Sequence, residues 1–161
     1  MNKEINTFKA LVCGSTQGIG LAIAQQLAKD GHTICLTARN EENLRTALAT
    51  LSTDNNQTHS YFVSDFTDPA GLKNAITNFI HLNGDIQILV NNTGGPKSGP
   101  IVDADTSEFL AAFNQHLICN HILMQAVVPG MKASSFGRII NIISTSVKQP
   151  LPNLGVSNTI R

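Results

Sequence analysis

Short apolar runs alternate along the chain with longer stretches in which apolar positions recur at helical spacing. Five runs, at 9–13, 33–37, 60–63, 86–90 and 138–143, have the length and the flanking turn residues of strands. Between them, 18–30 reads as a helix with Ile19, Ile23 and Leu27 on one face and Gly31 as its stop. Asn40 caps a second helix, with Glu41 and Glu42 in its first turn and Leu44, Leu48 and Leu51 as its buried stripe. Asp68-Pro69 opens a third, which runs through Ile76, Phe79 and Ile80 to Gly84. After the turn cluster 91–96 the chain is irregular up to Asp105 or Thr106. A long helix then passes through Phe109, Phe113, Leu117 and Leu123 towards Val128, where Pro129 ends or kinks it. Asp105 and Glu108 have the spacing of a capping box, and the isoleucines around Asn141 predict a last strand buried on both faces.

Strands alternating with helices throughout predict an α/β fold: a doubly wound parallel sheet, Rossmann-like, in three α/β/α layers. Its ligand crevice is expected at the carboxyl ends of strands one and four. Residues 1–161 read as one such domain. Directly after the first strand stands Gly14-Ser15-Thr16-Gln17-Gly18-Ile19-Gly20. Glycines there permit a tight turn and close backbone approach, and a helix opening at Gly18 aims its unpaired N–H groups and positive dipole end at an anion. The spacing G-x-x-x-G-x-G differs from G-x-G-x-x-G, so by itself the turn fits a dinucleotide, an anionic substrate or a plain strand-to-helix connection.

Composition narrows the partners. With 42% apolar residues, 14% charged residues and zero formal net charge, the chain has the makings of a sizeable core, and it has no Lys/Arg run to serve nucleic acid or an anionic membrane. The amino-terminal residues 1–9 are polar, and no apolar run approaches membrane-spanning length. A cytoplasmic protein is the expectation. Cys13, Cys35 and Cys119 are odd in number, lack metal-ligand spacing and sit in apolar contexts, so buried free thiols are expected and no metal site is.

Three separated segments, joined by a fourth, carry a family resemblance. The glycine turn, Asn91-Asn92-Thr93-Gly94, Gly137-Arg138-Ile139-Ile140-Asn141-Ile142-Ile143-Ser144, and Ala126-Val127-Val128-Pro129-Gly130-Met131 together resemble the short-chain dehydrogenase/reductases, closest in style to 3-oxoacyl-acyl-carrier-protein reductases. The resemblance implies an NADP-dependent oxidoreductase that transfers a hydride between cofactor and a small carbonyl or alcohol substrate, and a homo-oligomer. It assigns Gly14, Ser15, Gly18, Ile19 and Gly20 to the pyrophosphate and Asp65 to the adenine amino group. Asn92 ties strand ends beside the cofactor, and Gly94 belongs to the same turn. Arg39, just past strand two, stands where a carboxylate grips a ribose 2′-hydroxyl and a guanidinium accommodates a 2′-phosphate, so NADP is expected over NAD.

The catalytic positions show both agreement and departure. Ser144 matches the serine that polarises the substrate. In the register counted from it, the family's tyrosine falls at Ser157 and its lysine at Arg161. A serine hydroxyl is a far poorer acid than a phenol of ordinary pKa about 10, and a guanidinium supplies charge and ribose hydrogen bonds without releasing a proton. His116 replaces the helix asparagine of the family's proton relay, and imidazole relays protons itself. Lys97 and Lys148 lie in loops expected to rim the crevice. Family members continue beyond the position of Arg161 through further strands and a substrate-covering loop, so the expectation is a truncated fold with strand five as an open edge. A non-catalytic dinucleotide-binding or assembly protein, or an inactive truncated fragment, stands as the alternative to the enzyme.

Overall fold

A computed structural model describes residues 7–161. Its five strands, β1 (Lys9–Cys13), β2 (Thr33–Ala38), β3 (Ser60–Val63), β4 (Ile88–Asn91) and β5 (Arg138–Asn141), form one parallel sheet in the order β3-β2-β1-β4-β5. The order reverses direction between β1 and β4, which opens a crevice at their carboxyl ends. In central β1 successive side chains go to opposite faces, and every residue from Ala10 to Cys13 is fully buried. Leu11 and Cys13 meet Leu72, Ile76 and Phe79 of α3 (Pro69–Asn83) and Cys119, Leu123, Val127 and Met131 of α5 (Cys119–Ala133). Ala10 and Val12 meet Ala24 and Ala28 of α1 (Gly18–Lys29) and Leu44 and Ala47 of α2 (Glu41–Leu48). This is the expected three-layer architecture.

Several local expectations are corrected. Helix α1 buries Gly20, Ala24 and Ala28, while Ile19 is 60% exposed. Small side chains let α1 lie close on the sheet, which turns Ile19 out to the lip of the crevice. Leu51 is buried but lies past the end of α2. Pro129 falls inside α5, which continues to Ala133: burial of Val127 and Met131 holds the last turn despite the missing N–H. Gly130 beside it allows close approach, because a Cβ there would stand 2.5 Å from Asp85 Cγ. Asp105 caps α4 (Thr106–Phe113) through Ser107 N at 2.7 Å, not as half of a capping box. One π-helical turn, Asn114–Ile118, separates α4 from α5 in what read as a single helix. The chain closes with a six-residue helix, α6 (Gly155–Ile160).

β5 is the edge strand that was expected, and it corrects the expectation of burial on both faces. All four of its residues are exposed, with Ile139 at 37% and Ile140 at 44%. It pairs only with β4, and no helix of the described residues covers its outer part. Burial on both faces needs layers on both faces, and an apolar sequence alone does not provide them. At the opposite end of the sheet Phe8 stacks on Phe136, ring centroids 3.8 Å apart, with the Arg138 guanidinium 4.6 Å above the Phe136 ring.

Candidate active site

The glycine turn follows β1 directly. Gly14 has φ +55°, and a Cβ on it would stand 2.6 Å from the Asn92 carbonyl oxygen. A Cβ on Gly20 would overlap the Gly14 carbonyl. Gly18, at φ +56°, has open space where a side chain would be. No side chain caps α1, no carboxylate occupies its first turn, and the amides of Gly18, Ile19 and Gly20 have no protein partner. Such a helix start attracts an anion. Asn92 closes the turn from the β4 side by donating from Nδ2 to the Cys13 and Gly14 carbonyls, both at 3.2 Å.

Ser15 stands in the turn assigned to the pyrophosphate. It is fully buried, and its Oγ accepts from Thr37 N at 3.1 Å. Thr37 Oγ1 in turn lies 2.7 Å from Ser64 Oγ. These two buried contacts brace the carboxyl ends of β1, β2 and β3 and leave the Ser15 backbone for a ligand. Thr37 and Ser64 were missed as site residues, although each is a polar residue at the end of an apolar run. Arg39, one residue past β2, is exposed and forms no ion pair. Asp65 Oδ1 accepts from Thr67 N at 2.8 Å, an Asx turn that leaves the other carboxylate oxygen unengaged. The open space at Gly18 and the unpaired amides fit a dinucleotide pyrophosphate, and Arg39 follows the end of β2, the strand next to β1.

Ser144 follows β5 and the short extension after it. Its Oγ accepts from Ser146 N at 3.1 Å, which starts the 3-10 turn Thr145–Val147 and leaves the hydroxyl proton to donate elsewhere. That turn packs on α6, which carries Ser157, 3% exposed, and ends at Arg161. Arg161 Nη1 lies 3.0 Å from where a Cβ on Gly95 would stand, beside the Gly94-Gly95 turn after β4. The loop after that turn is laced to α6: Gly99 N donates to Asn153 O at 2.7 Å and Gly155 N to Gly99 O at 3.0 Å.

His116 occupies the π-helical turn, and its Nδ1 lies 2.7 Å from Thr93 Oγ1. Thr93 is a third residue that sequence reasoning missed, since nothing in the pattern links 93 to 116. Burial, and then the Arg161 charge, hold the imidazole below its ordinary pKa of 6.5. Its Nε2 and Asn120 Oδ1, one helical turn on, are buried without partners, and both residues line a cavity of about 440 Å³ with Phe113, Leu117, Met124 and Asn141. Asn91 Oδ1 and Ser146 Oγ are likewise buried and unpartnered. Unsatisfied polar atoms cost stability, and they concentrate at this end of the sheet. The three cysteines are buried and free, with burial pushing the Cys13 thiol up to about 12 and that of Cys119 to about 11. No group of metal-ligating side chains assembles among the described residues.

Comparison with known proteins agrees with this geometry. The sequence model described as short chain dehydrogenase matches residues 9–156. Dehydrogenase/reductase SDR family member 4 of Sus scrofa is 31% identical over 157 residues, which is 97% of this chain and 56% of that protein. L-Sorbose reductase from Gluconobacter frateurii, solved in complex with NADPH and L-sorbose, superposes with a TM-score of 0.90 at 30% identity, covering 99% of this chain and 61% of its own. An actinorhodin polyketide ketoreductase solved with NADPH gives a TM-score of 0.81 at 29% identity, over 96% and 60% of the two chains. The chain therefore spans little more than half the length of these relatives. With the family's sequence model matched from β1 into α6, and with the sheet order and glycine turn in place, the chain belongs to the short-chain dehydrogenase family.

Proposed function

We propose that this chain forms the cofactor-binding part of an NADP-dependent oxidoreductase acting on a small carbonyl or alcohol substrate, in the manner of a 3-oxoacyl reductase. The observation that carries the reading is the open cradle at Gly14, Gly18 and Gly20, with its uncapped helix start. The NADPH complexes of the sorbose reductase and the polyketide ketoreductase support it. Bound cofactor supplies or accepts the hydride. The chain's own residues do the rest. Gly18, Ile19 and Gly20 donate backbone N–H groups to the pyrophosphate, Arg39 pairs with the 2′-phosphate, and Asp65 accepts from the adenine amino group. Asn92 holds β1 and β4 at the spacing this requires, and Gly94 keeps the turn after β4 bare. Ser144 donates its hydroxyl proton to the substrate oxygen. Arg161 contributes positive charge, and His116, held by Thr93, is the titrating group able to exchange the proton that Ser157 exchanges only poorly. The proposal includes a cytoplasmic site of action and self-association, and no helix of the described residues is long and apolar enough to cross a membrane.

A second reading, a dinucleotide-binding protein without turnover, is favoured by one observation: Ser157 occupies the acid's position and is buried there. Oxidation of NADPH by the full-length protein, with a panel of ketones and 3-oxoacyl thioesters, separates the two. The reductase reading expects turnover lowered by about two to four orders of magnitude from that of a phenol-bearing enzyme, and lowered further by His116→Gln. NADPH binding without oxidation of any substrate supports the second reading.

A further inference from the structure

The histidines of the chain differ in what holds their rings. His32 Nδ1 accepts from Phe8 N at 3.2 Å, and His59 Nδ1 accepts from Ile34 N at 3.0 Å. A backbone N–H can only donate, so both contacts need a bare ring nitrogen and fit the neutral imidazole alone. His116 Nδ1 instead meets the Thr93 hydroxyl at 2.7 Å. A hydroxyl both donates and accepts, so this contact persists whether the ring is neutral or charged. Thr93 is itself held in place. It directly follows Asn92, whose Nδ2 donates to the Cys13 and Gly14 carbonyls. The ring of His116 is thereby tied, through the turn after β4, to the glycine turn of the cradle.

An imidazole that exchanges protons has to keep its place while its charge changes. Of these three contacts, the one with Thr93 meets that requirement. We infer that Thr93 is the positioning residue for proton exchange at His116: it accepts from Nδ1–H in both charge states and leaves Nε2 as the nitrogen that gains and loses the proton. A carbonyl reduced by NADPH hydride is left as an alkoxide. The Nε2–H bond of the imidazolium then breaks, and an O–H bond forms on that oxygen, directly or through a water. The ring is left neutral, with its remaining proton on Nδ1 and still bonded to Thr93. Burial, and then the Arg161 charge, hold the imidazole below its ordinary pKa of 6.5 and so favour release of the proton, and His121 is the other titratable group lining the same cavity. The inference rests on the reductase reading above and adds the residue that lets His116 perform its part in it.

The test reads tautomer and turnover in the full-length protein, comparing Thr93→Val, which removes the hydroxyl and keeps the branched shape, with Thr93→Ser, which keeps the hydroxyl. At about pH 8, above the ordinary histidine range, the 15N shifts of His116 should show one neutral tautomer, Nδ1–H, in the starting protein and in Thr93→Ser. Thr93→Val should show a mixture of tautomers. A mixture in the starting protein, or an unchanged Nδ1–H tautomer in Thr93→Val, overturns the assignment. In reduction of ethyl acetoacetate by NADPH, Thr93→Val should lower kcat by about tenfold, the worth of one hydrogen bond, with KM for NADPH unchanged and most of the rate restored in Thr93→Ser. In a His116→Gln background the same Thr93→Val change should alter kcat by less than about twofold, because Thr93 acts through the ring. No loss of kcat in Thr93→Val, or an equal loss in both backgrounds, overturns the inference. If ethyl acetoacetate is not reduced at all, it is the reductase reading that fails, and the tautomer measurement decides the role of Thr93 by itself: the shift to a mixture in Thr93→Val supports it, and its absence overturns it.

Discussion

Gly14 and Gly18 have the same left-handed backbone but different surroundings, so their alanine variants should fail in different ways. At Gly14 the added methyl meets the Asn92 carbonyl at 2.6 Å as well as the φ penalty, and we expect a loss of about 3 kcal/mol, measured by urea unfolding. At Gly18 only the φ penalty applies, about 1 kcal/mol, while the methyl enters the space assigned to the pyrophosphate. Gly18→Ala should therefore stay folded and bind NADPH at least about tenfold more weakly, the cost of losing one good contact to an anion. Equal effects of the two variants on stability would contradict the geometry of the turn. His116 offers a different readout. Burial and Arg161 hold its folded pKa below 6.5, so the unfolded chain takes up the proton first. Its contribution to stability is present above about pH 6.5 and is lost as pH falls through the folded value. His116→Gln should accordingly flatten the fall in urea midpoint between pH 7.5 and pH 5, whereas parallel slopes for the two proteins would show that the imidazole is not desolvated.

At the scale of elements, most of the architecture was legible because strands and helices carry different local signals. The short apolar runs at 9–13 and 33–37 are bounded by turn residues, and Ile76, Phe79 and Ile80 follow the Asp68-Pro69 start at helical spacing. Asn40 and Asp68 marked their helix starts correctly, since a cap is a local interaction between residues three apart. What the pattern hid depends on partners remote in sequence. The π-helical turn at 114–118 adds one residue to a helix whose apolar spacing barely registers it, yet that turn presents His116 to Thr93. The contacts of Ser15 Oγ with the Thr37 backbone and of Thr37 Oγ1 with Ser64 join three strand ends that no local rule connects. β5 shows the reverse case: its composition is that of an interior strand, while its neighbours place it at the edge. Its unpaired N–H and C=O groups and exposed Ile139 and Ile140 are a template for another strand. The 161-residue chain alone should sediment as a concentration-dependent mixture of species, and Ile140→Lys should shift it towards monomer. A monomer at every concentration would mean that the edge is covered in solution.

Across the whole molecule, the candidate site residues divide along the chain. The amino-terminal strands build a rigid, glycine-lined cradle at the β1/β4 reversal, braced by hydroxyls inside and by Asn92 across the gap. The later segments bring Ser144, Ser157, Arg161 and His116 to the same end of the sheet without a phenol. In the proposed reading, substrate handling falls to weak acids and cations, and cofactor handling to the backbone of the glycine turn and to Arg39. The cofactor part is the central claim, because the proposal has no hydride chemistry without a dinucleotide in the cradle and its 2′-phosphate at Arg39. Titration of NADPH and of NADH into the protein, followed by calorimetry, tests it most directly. The account predicts that NADPH binds about tenfold or more tightly than NADH, the worth of one guanidinium–phosphate pair, and that Arg39→Asp reverses the order. Equal affinity for the two cofactors, or no binding of either, would contradict it.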